Sequence, residues 1–265
     1  MSPAVTGLGN ARLAVTVLMI RDSARGLEVY IQERVSSMPT FPNATVFPGG
    51  GVDERDLEQH ADSPLWSGPS AHTWSSTLGI EPNKACALIM AAGRELFEET
   101  GTLLASDQQG ELIADAHPYH PQRMALESHR LSFSEVLKTH RLTLRSEVLY
   151  PYARWVSPIN ARHRFDMFSF IVAQPRGQEP DGRTREAAST GWFSPELVLR
   201  GWHEGLLQLV IPTWAHLKFL SAFSSVDEVL TNIKGREITP VVGDPYHDPR
   251  FEKFYSHTPP QRFQL

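Results

Sequence analysis

The chain has 265 residues, with 25 Lys plus Arg against 30 Asp plus Glu, a formal net charge of −5, 41% apolar residues and 21% charged residues. This balance excludes wholesale disorder, and it offers no basic surface for nucleic acid. The longest apolar run, residues 13–20, falls far short of the ~20 residues that span a bilayer, so no membrane partner is expected. A single cysteine, Cys86, excludes an intramolecular disulfide and a cysteine-ligated zinc site. With no signal-peptide pattern at the start, the expected location is cytoplasmic.

Residues 12–21 (RLAVTVLMIR) read as a buried strand, 22–26 as a turn, and 27–34 (LEVYIQER) as an alternating, half-buried strand, which together suggest a hairpin. A short strand at 44–47 ends in Pro48-Gly49-Gly50-Gly51. Residues 57–80, rich in Ser, Pro, His and Trp, read as a loop. A helix is expected from Pro82, a first-turn residue, to Thr100 before Gly101. A second helix is expected over 122–140, strands at 152–157 and 167–173, and a strand ending at Trp192-Phe193. Helices follow at 195–201, 213–223 and 226–234, then a tail from 243 rich in Pro, His and aromatics. Strands mixed with helices, without regular alternation, point to an α+β chain with a mixed sheet.

Chemistry concentrates in residues 94–101, Arg-Glu-Leu-Phe-Glu-Glu-Thr-Gly. On a helix, Glu95, Glu98 and Glu99 share one face, because offsets of three and four residues superpose. Arg94 offsets part of their repulsion. A hard divalent cation would neutralise the rest, and oxygen-only ligands favour Mg²⁺ or Mn²⁺. The competing interpretation is a solvated acidic helix face. Upstream, the glycine turn permits close backbone approach, so its carbonyls can reach the same cation.

Together the two segments resemble the halves of a Nudix box: a glycine, five variable residues, an acid, seven variable residues and REUxEExGU, where U is apolar. Gly50 opens it, Asp56 stands at the acid position, and residues 94–102 close it, with Thr102 in place of the last apolar residue. Asp56 and Arg94 are 38 residues apart, so about 30 residues are inserted within the box. A split box resembles the branch that contains the peroxisomal acyl-coenzyme A diphosphatase. The flanks are similar too, in residues 38–50, 164–168, 186–193 and 211–213.

The resemblance implies a Nudix-type α/β/α sandwich with a mixed central sheet: one domain over residues 1–242, an insertion at 57–84 and a C-terminal tail at 243–265. It implies a metal-dependent hydrolase that cleaves the pyrophosphate of a nucleoside diphosphate linked to another moiety. Coenzyme A or an acyl-coenzyme A is the favoured substrate, with NADH or a nucleotide sugar as alternatives. Carried over residue by residue, Glu98 and Glu99 would bind metal, Glu95 would bind metal or act as the base, and Arg94 would orient them. Glu95, Glu98 and Arg94 are thus the catalytic candidates. The Gly49 carbonyl and Glu186 would complete the metal site. Arg34, Arg162 and Arg164 are candidates for holding the anionic substrate. A homodimer is the assembly common in the superfamily.

Two other classes stay open at this point: a non-catalytic nucleotide-binding module on the same fold, and an interaction protein using its aromatic insert and tail. Retention of all three box glutamates argues for catalysis. Trp66 and Trp74 either pack the insertion onto the domain or line a substrate pocket.

Overall fold

A strand buried on both faces reads as a continuous apolar run, and β1 (Arg12–Ser23) does so: every residue from 13 to 20 is buried. Leu13, Val15, Val17 and Met19 enter one core, while Leu18 and Ile20 enter another on the opposite face. The computed structural model describes residues 5–57 and 65–257. Part of the expected insertion (58–64) and the end of the expected tail (258–265) lie outside the described residues.

The chain continues through β2 (Gly26–Arg34) and β3 (Ala44–Val46) to β4 (Trp66–Ser67), α1 (Ala71–Leu78) and α2 (Pro82–Thr100). Next come β5 (Ala105–Ser106), α3 (His120–Glu127), α4 (Phe133–His140), β6 (Thr143–Arg145), β7 (Tyr150–Val156) and β8 (Phe165–Ala173). The last elements are β9 (Ala187–Phe193), α5 (Pro195–His203), β10 (Gln208–Leu209), α6 (Ile211–Leu220), α7 (Val226–Ile233), β11 (Val241–Val242) and α8 (Glu252–Tyr255).

The main sheet runs β10-β3-β2-β1-β8-β7-β11, with β9 also paired to β2. β1 is parallel to β8 from Arg12 to Ile20, whereas β7 is antiparallel to β8, so the sheet is mixed. β1 and β2 pair only beside their turn, from Ile20↔Val29 to Ser23↔Gly26. Further along, β1 bonds instead to the glycine segment: Val17 N donates to Pro48 O, Val15 N to Gly50 O, and Val52 N to Leu13 O. The elbow is thereby locked to β1. One core packs α1, α2 and α4 with Trp66, Trp74, Phe97 and Phe133; the other packs α5, α6 and α7 with Trp202, Trp214 and Leu217. Helices therefore cover both faces of the sheet, as expected for the α/β/α sandwich.

Two expectations need correction. The segment 57–80 is not a plain loop. It carries α1, whose start is capped by the Ser70 side chain accepting from Thr73 N and whose end is Gly79 in the left-handed region. Ala71, Trp74 and Leu78 form its buried face, and β4 pairs with β6 in a small second sheet, β4-β6-β5. Trp74 and Trp66 are buried in the core, so both pack the insertion onto the domain. The expected helix 122–140 is two helices. Ser132 and Glu135 form a capping box that starts α4 afresh. In the tail, residues up to 257 wrap the second face, with Phe251 on Trp155 and Phe254 stacked on Trp202 at ring centroid distances of 5.3 and 5.5 Å.

His216 on α6 is 1% exposed, surrounded by Phe47, Tyr152 and Trp155, and its Nε2 lies 2.7 Å from Ser169 Oγ. Burial pushes its pKa down to about 3. The unfolded chain binds this proton below about pH 6.5, and the folded chain does not. Stability from this group is therefore full above pH 6.5 and is lost as pH falls toward 3, by about 1.4 kcal/mol per pH unit at most. We expect the melting temperature to fall more steeply between pH 7 and 5 in the parent than in His216→Gln. Parallel curves would rule out a neutral buried imidazole.

Candidate active site

Helix α2 carries the whole acidic motif. Pro82 sits in its first turn, and Gly101, at φ +75°, ends it in the left-handed conformation that favours glycine. Its last two turns face the elbow. Gly49 N donates to Glu99 Oε2 at 2.8 Å, and Gln32 Nε2 of β2 donates to the same oxygen at 2.8 Å. The elbow and the glutamates, 50 residues apart in the chain, thus touch directly.

Glycine is required at position 49. At Gly49, φ is +152°, and a Cβ would lie 2.2 Å from Val15 O and 2.7 Å from Thr16 Cα, both backbone atoms of β1. A Cβ on Gly50 would lie 2.5 Å from Glu95 Oε1. The carbonyls of Pro48, Gly50 and Gly51 are taken by Val17 N, Val15 N and Arg94 Nη2. The Gly49 carbonyl accepts from no donor among the described residues.

Arg94 organises the acids. It is 7% exposed and donates through Nε and Nη2 to both oxygens of Asp56, at 3.0 and 2.9 Å. It also donates to Gly51 O at 3.0 Å, Glu95 Oε1 at 2.9 Å and Glu98 Oε1 at 3.4 Å. Asp56, 2% exposed, accepts from Asp53 N as well. The acid position of the box is therefore structural: Asp56 aims Arg94, and Arg94 aims Glu95 and Glu98.

One guanidinium is shared among Asp56, Glu95 and Glu98, and the surplus negative charge shows in the acidity of the glutamates. Burial pushes the Glu98 carboxyl up to about 7, with Arg94 pulling the other way. Burial raises Glu95 too. Glu99 is raised well above the usual carboxylate range by burial and then by the charges of Glu95 and Glu186. Such a cluster must take up protons or a cation to offset its desolvation. Oxygen donors, surplus negative charge and an unengaged Gly49 carbonyl fit a hard divalent ion. Among the described residues no group of three His, Cys, Asp or Glu side chains is arranged to share one ion. The carboxylates are turned instead to Arg94, Gly49 and Gln32.

Of the other expected site residues, Glu186 is exposed and immediately precedes β9. Its carbonyl accepts from Val35 N, and its charge reaches Glu95 and Glu99. Arg34 ends β2, two residues beyond Gln32, with Nε donating to Thr40 O. Arg162 and Arg164 precede β8, where Arg164 Nη1 donates to Gly9 O. The sequence analysis missed Gln32, whose amide is 1% exposed, and Arg123, which binds the carbonyl of Glu98. Neither carries a local signal, because each meets its partner only through the fold.

Removing one partner from a buried ion pair costs about 3–5 kcal/mol. Asp56→Ala should therefore lower the melting temperature by roughly 10 °C in calorimetry, at ~2–4 °C per kcal/mol for a chain of this size. A change within error would deny Asp56 its structural role. Gly49→Ala should also melt early, because the elbow must leave β1.

No family model matches the chain. It is 23% identical over 248 residues to the acyl-coenzyme A diphosphatase NUDT19 of Xenopus laevis, a match covering 80% of this chain. The match spans 64% of that relative's own length. A crystal structure of a Nudix hydrolase from Alicyclobacillus acidocaldarius superposes with a TM-score of 0.70 and 26% identity, covering 88% of this chain and all of the other. By its box, its fold and these relatives, the chain resembles the Nudix hydrolases, and the acyl-coenzyme A diphosphatase among them.

Proposed function

We infer that the chain is a divalent-cation-dependent diphosphatase acting on a nucleoside diphosphate linked to a second moiety. The observation that carries this reading is the contact between Gly49 and Glu99, which joins the elbow to the buried Glu95 and Glu99 and the half-buried Glu98. Glu95, Glu98, Glu99, the Gly49 carbonyl and Glu186 would hold Mg²⁺ or Mn²⁺. When bound, the cation screens the diphosphate's charge, polarises its phosphoryl oxygen and acidifies water.

The chain's own groups do the rest. Glu95 is the candidate base for the attacking water, with Glu98 beside it as the alternative. Arg94, anchored by Asp56, keeps both carboxylates on the same side of the helix. Gln32 and Gly49 N hold one oxygen of Glu99 and leave its other oxygen for the cation. Water attacks one phosphorus, the anhydride P–O bond breaks, and two phosphomonoesters leave. Arg34, at the mouth of β2, would meet a phosphate.

Coenzyme A or an acyl-coenzyme A is the favoured substrate, supported by the split box and the diphosphatase relative. NADH and nucleotide sugars are the alternatives.

The test is product formation by the full chain with Mg²⁺ or Mn²⁺ on coenzyme A, an acyl-coenzyme A, NADH and a nucleotide sugar. Turnover of at least one is expected, and Glu99→Gln should reduce it by at least ~100-fold while melting normally. Near-parental activity in that variant would contradict the metal assignment. Tight binding without turnover of any compound would favour the binding module.

A further inference from the structure

Glu186 is exposed and stands in the loop just before β9, the strand paired with β2, whose Gln32 holds Glu99, so that loop must be fastened if the carboxylate is to serve the glutamates. The fastening is on α3. Arg123 is 1% exposed. Its Nη1 donates to both oxygens of Asp181 at 2.7 and 2.8 Å, its Nη2 to Arg183 O at 3.1 Å, and its Nε to Glu98 O at 3.0 Å. One guanidinium therefore grips the Glu186 loop and the last turn of the box helix together. Asp181 N also donates to Thr100 O at 3.1 Å. Four residues along the same helix, Glu127 Oε1 accepts from Arg185 N at 3.2 Å. The space is reserved on the helix side too: a Cβ on Gly101 would lie 2.8 Å from Arg123 Nη1.

A rigid planar fork with this many partners sets distance and orientation, which a lysine cannot do. Arg123 is buried, so leaving its guanidinium unpaired is costly, and through it the loop is held to the helix end. Past the grip, the chain reaches Glu186, whose carbonyl is held by Val35 N at the end of β2. The loop is thus tied to α2, α3 and β2 on both sides of Arg185 and Glu186.

We propose that Arg123 and Asp181 are positioning residues that hold Glu186 over Glu95 and Glu99 as a further acidic arm of the cation site. This rests on the metal-dependent reading above. Neither residue touches the reacting atoms. Their effect passes through the Glu186 carboxylate, so it belongs to cation affinity rather than to chemistry.

The experiment is Mn²⁺ binding to the full chain without substrate, read by electron paramagnetic resonance of the free ion, with melting temperature in parallel. Glu186→Gln and Asp181→Asn should each weaken Mn²⁺ binding about tenfold, in the range for groups that orient a ligand. The double variant should be no weaker than either single one, because the second change removes what the first already lost. Glu127→Ala loosens only the second fastening and keeps the Arg123–Asp181 pair, so it should fold even if Asp181→Asn does not. It should weaken Mn²⁺ two- to threefold. Parental Mn²⁺ affinity in folded Asp181→Asn or Glu127→Ala, or additive losses in the double variant, would overturn the positioning role. If the parent binds Mn²⁺ and turns over a diphosphate while Glu186→Gln is unchanged, only this inference falls. If the parent binds no Mn²⁺, the metal reading falls with it.

Discussion

A single buried guanidinium sets the geometry of this molecule's acidic centre. Arg94 fills a space bounded by Asp56, the Gly51 carbonyl, Glu95 and Glu98, and each of these comes from a different position along the box. Its bidentate pairing with Asp56 is the fixed end, since both are almost fully shielded from water. The contacts to Glu95 and Glu98 are the adjustable end, and they lie where the surplus negative charge accumulates. Three desolvated glutamates would otherwise repel one another and unwind the end of α2.

The sheet prepares the place for this centre. β1 and β2 separate after their turn, and the elbow takes the vacated hydrogen bonds of β1. Only glycine at position 49 can lie that close to the backbone of Val15 and Thr16. The elbow then presents its N–H to Glu99 from one side, while Gln32 on β2 presents its amide from the other. The insertion within the box does not disturb this arrangement. It leaves after Asp56 and returns through α1 into α2, packing Trp66 and Trp74 into the core on the same face of the sheet.

Much of this was readable from the chain because it is local. β1 is an uninterrupted apolar run, β2 alternates, and α2 has Pro82 at its start and Gly101 at its end. The three glutamates share a face by helical periodicity alone. What escaped was either short or remote. α1 lies in a stretch of Ser, Thr and His, where Ala71, Trp74 and Leu78 are too few to show a period, although Ser70 and Gly79 mark its ends. The break between α3 and α4 was present as Ser132 and Glu135, but the apolar residues on either side kept the helical spacing. Asp56 was located by motif, yet its bond to Arg94 spans the insertion and has no local trace. Arg123 and Gln32 meet their partners only in three dimensions.

The central claim is that the glutamates on α2 and the glycine elbow together enclose one divalent ion. Diffraction from crystals soaked in Mn²⁺, recorded at the manganese absorption edge, tests it most directly. The account predicts an anomalous peak at coordination distance from carboxylate oxygens of Glu95, Glu98 and Glu99 and from the Gly49 carbonyl. A peak elsewhere on the molecule, with the glutamates still bound only to Arg94, Gly49 N and Gln32, would contradict it.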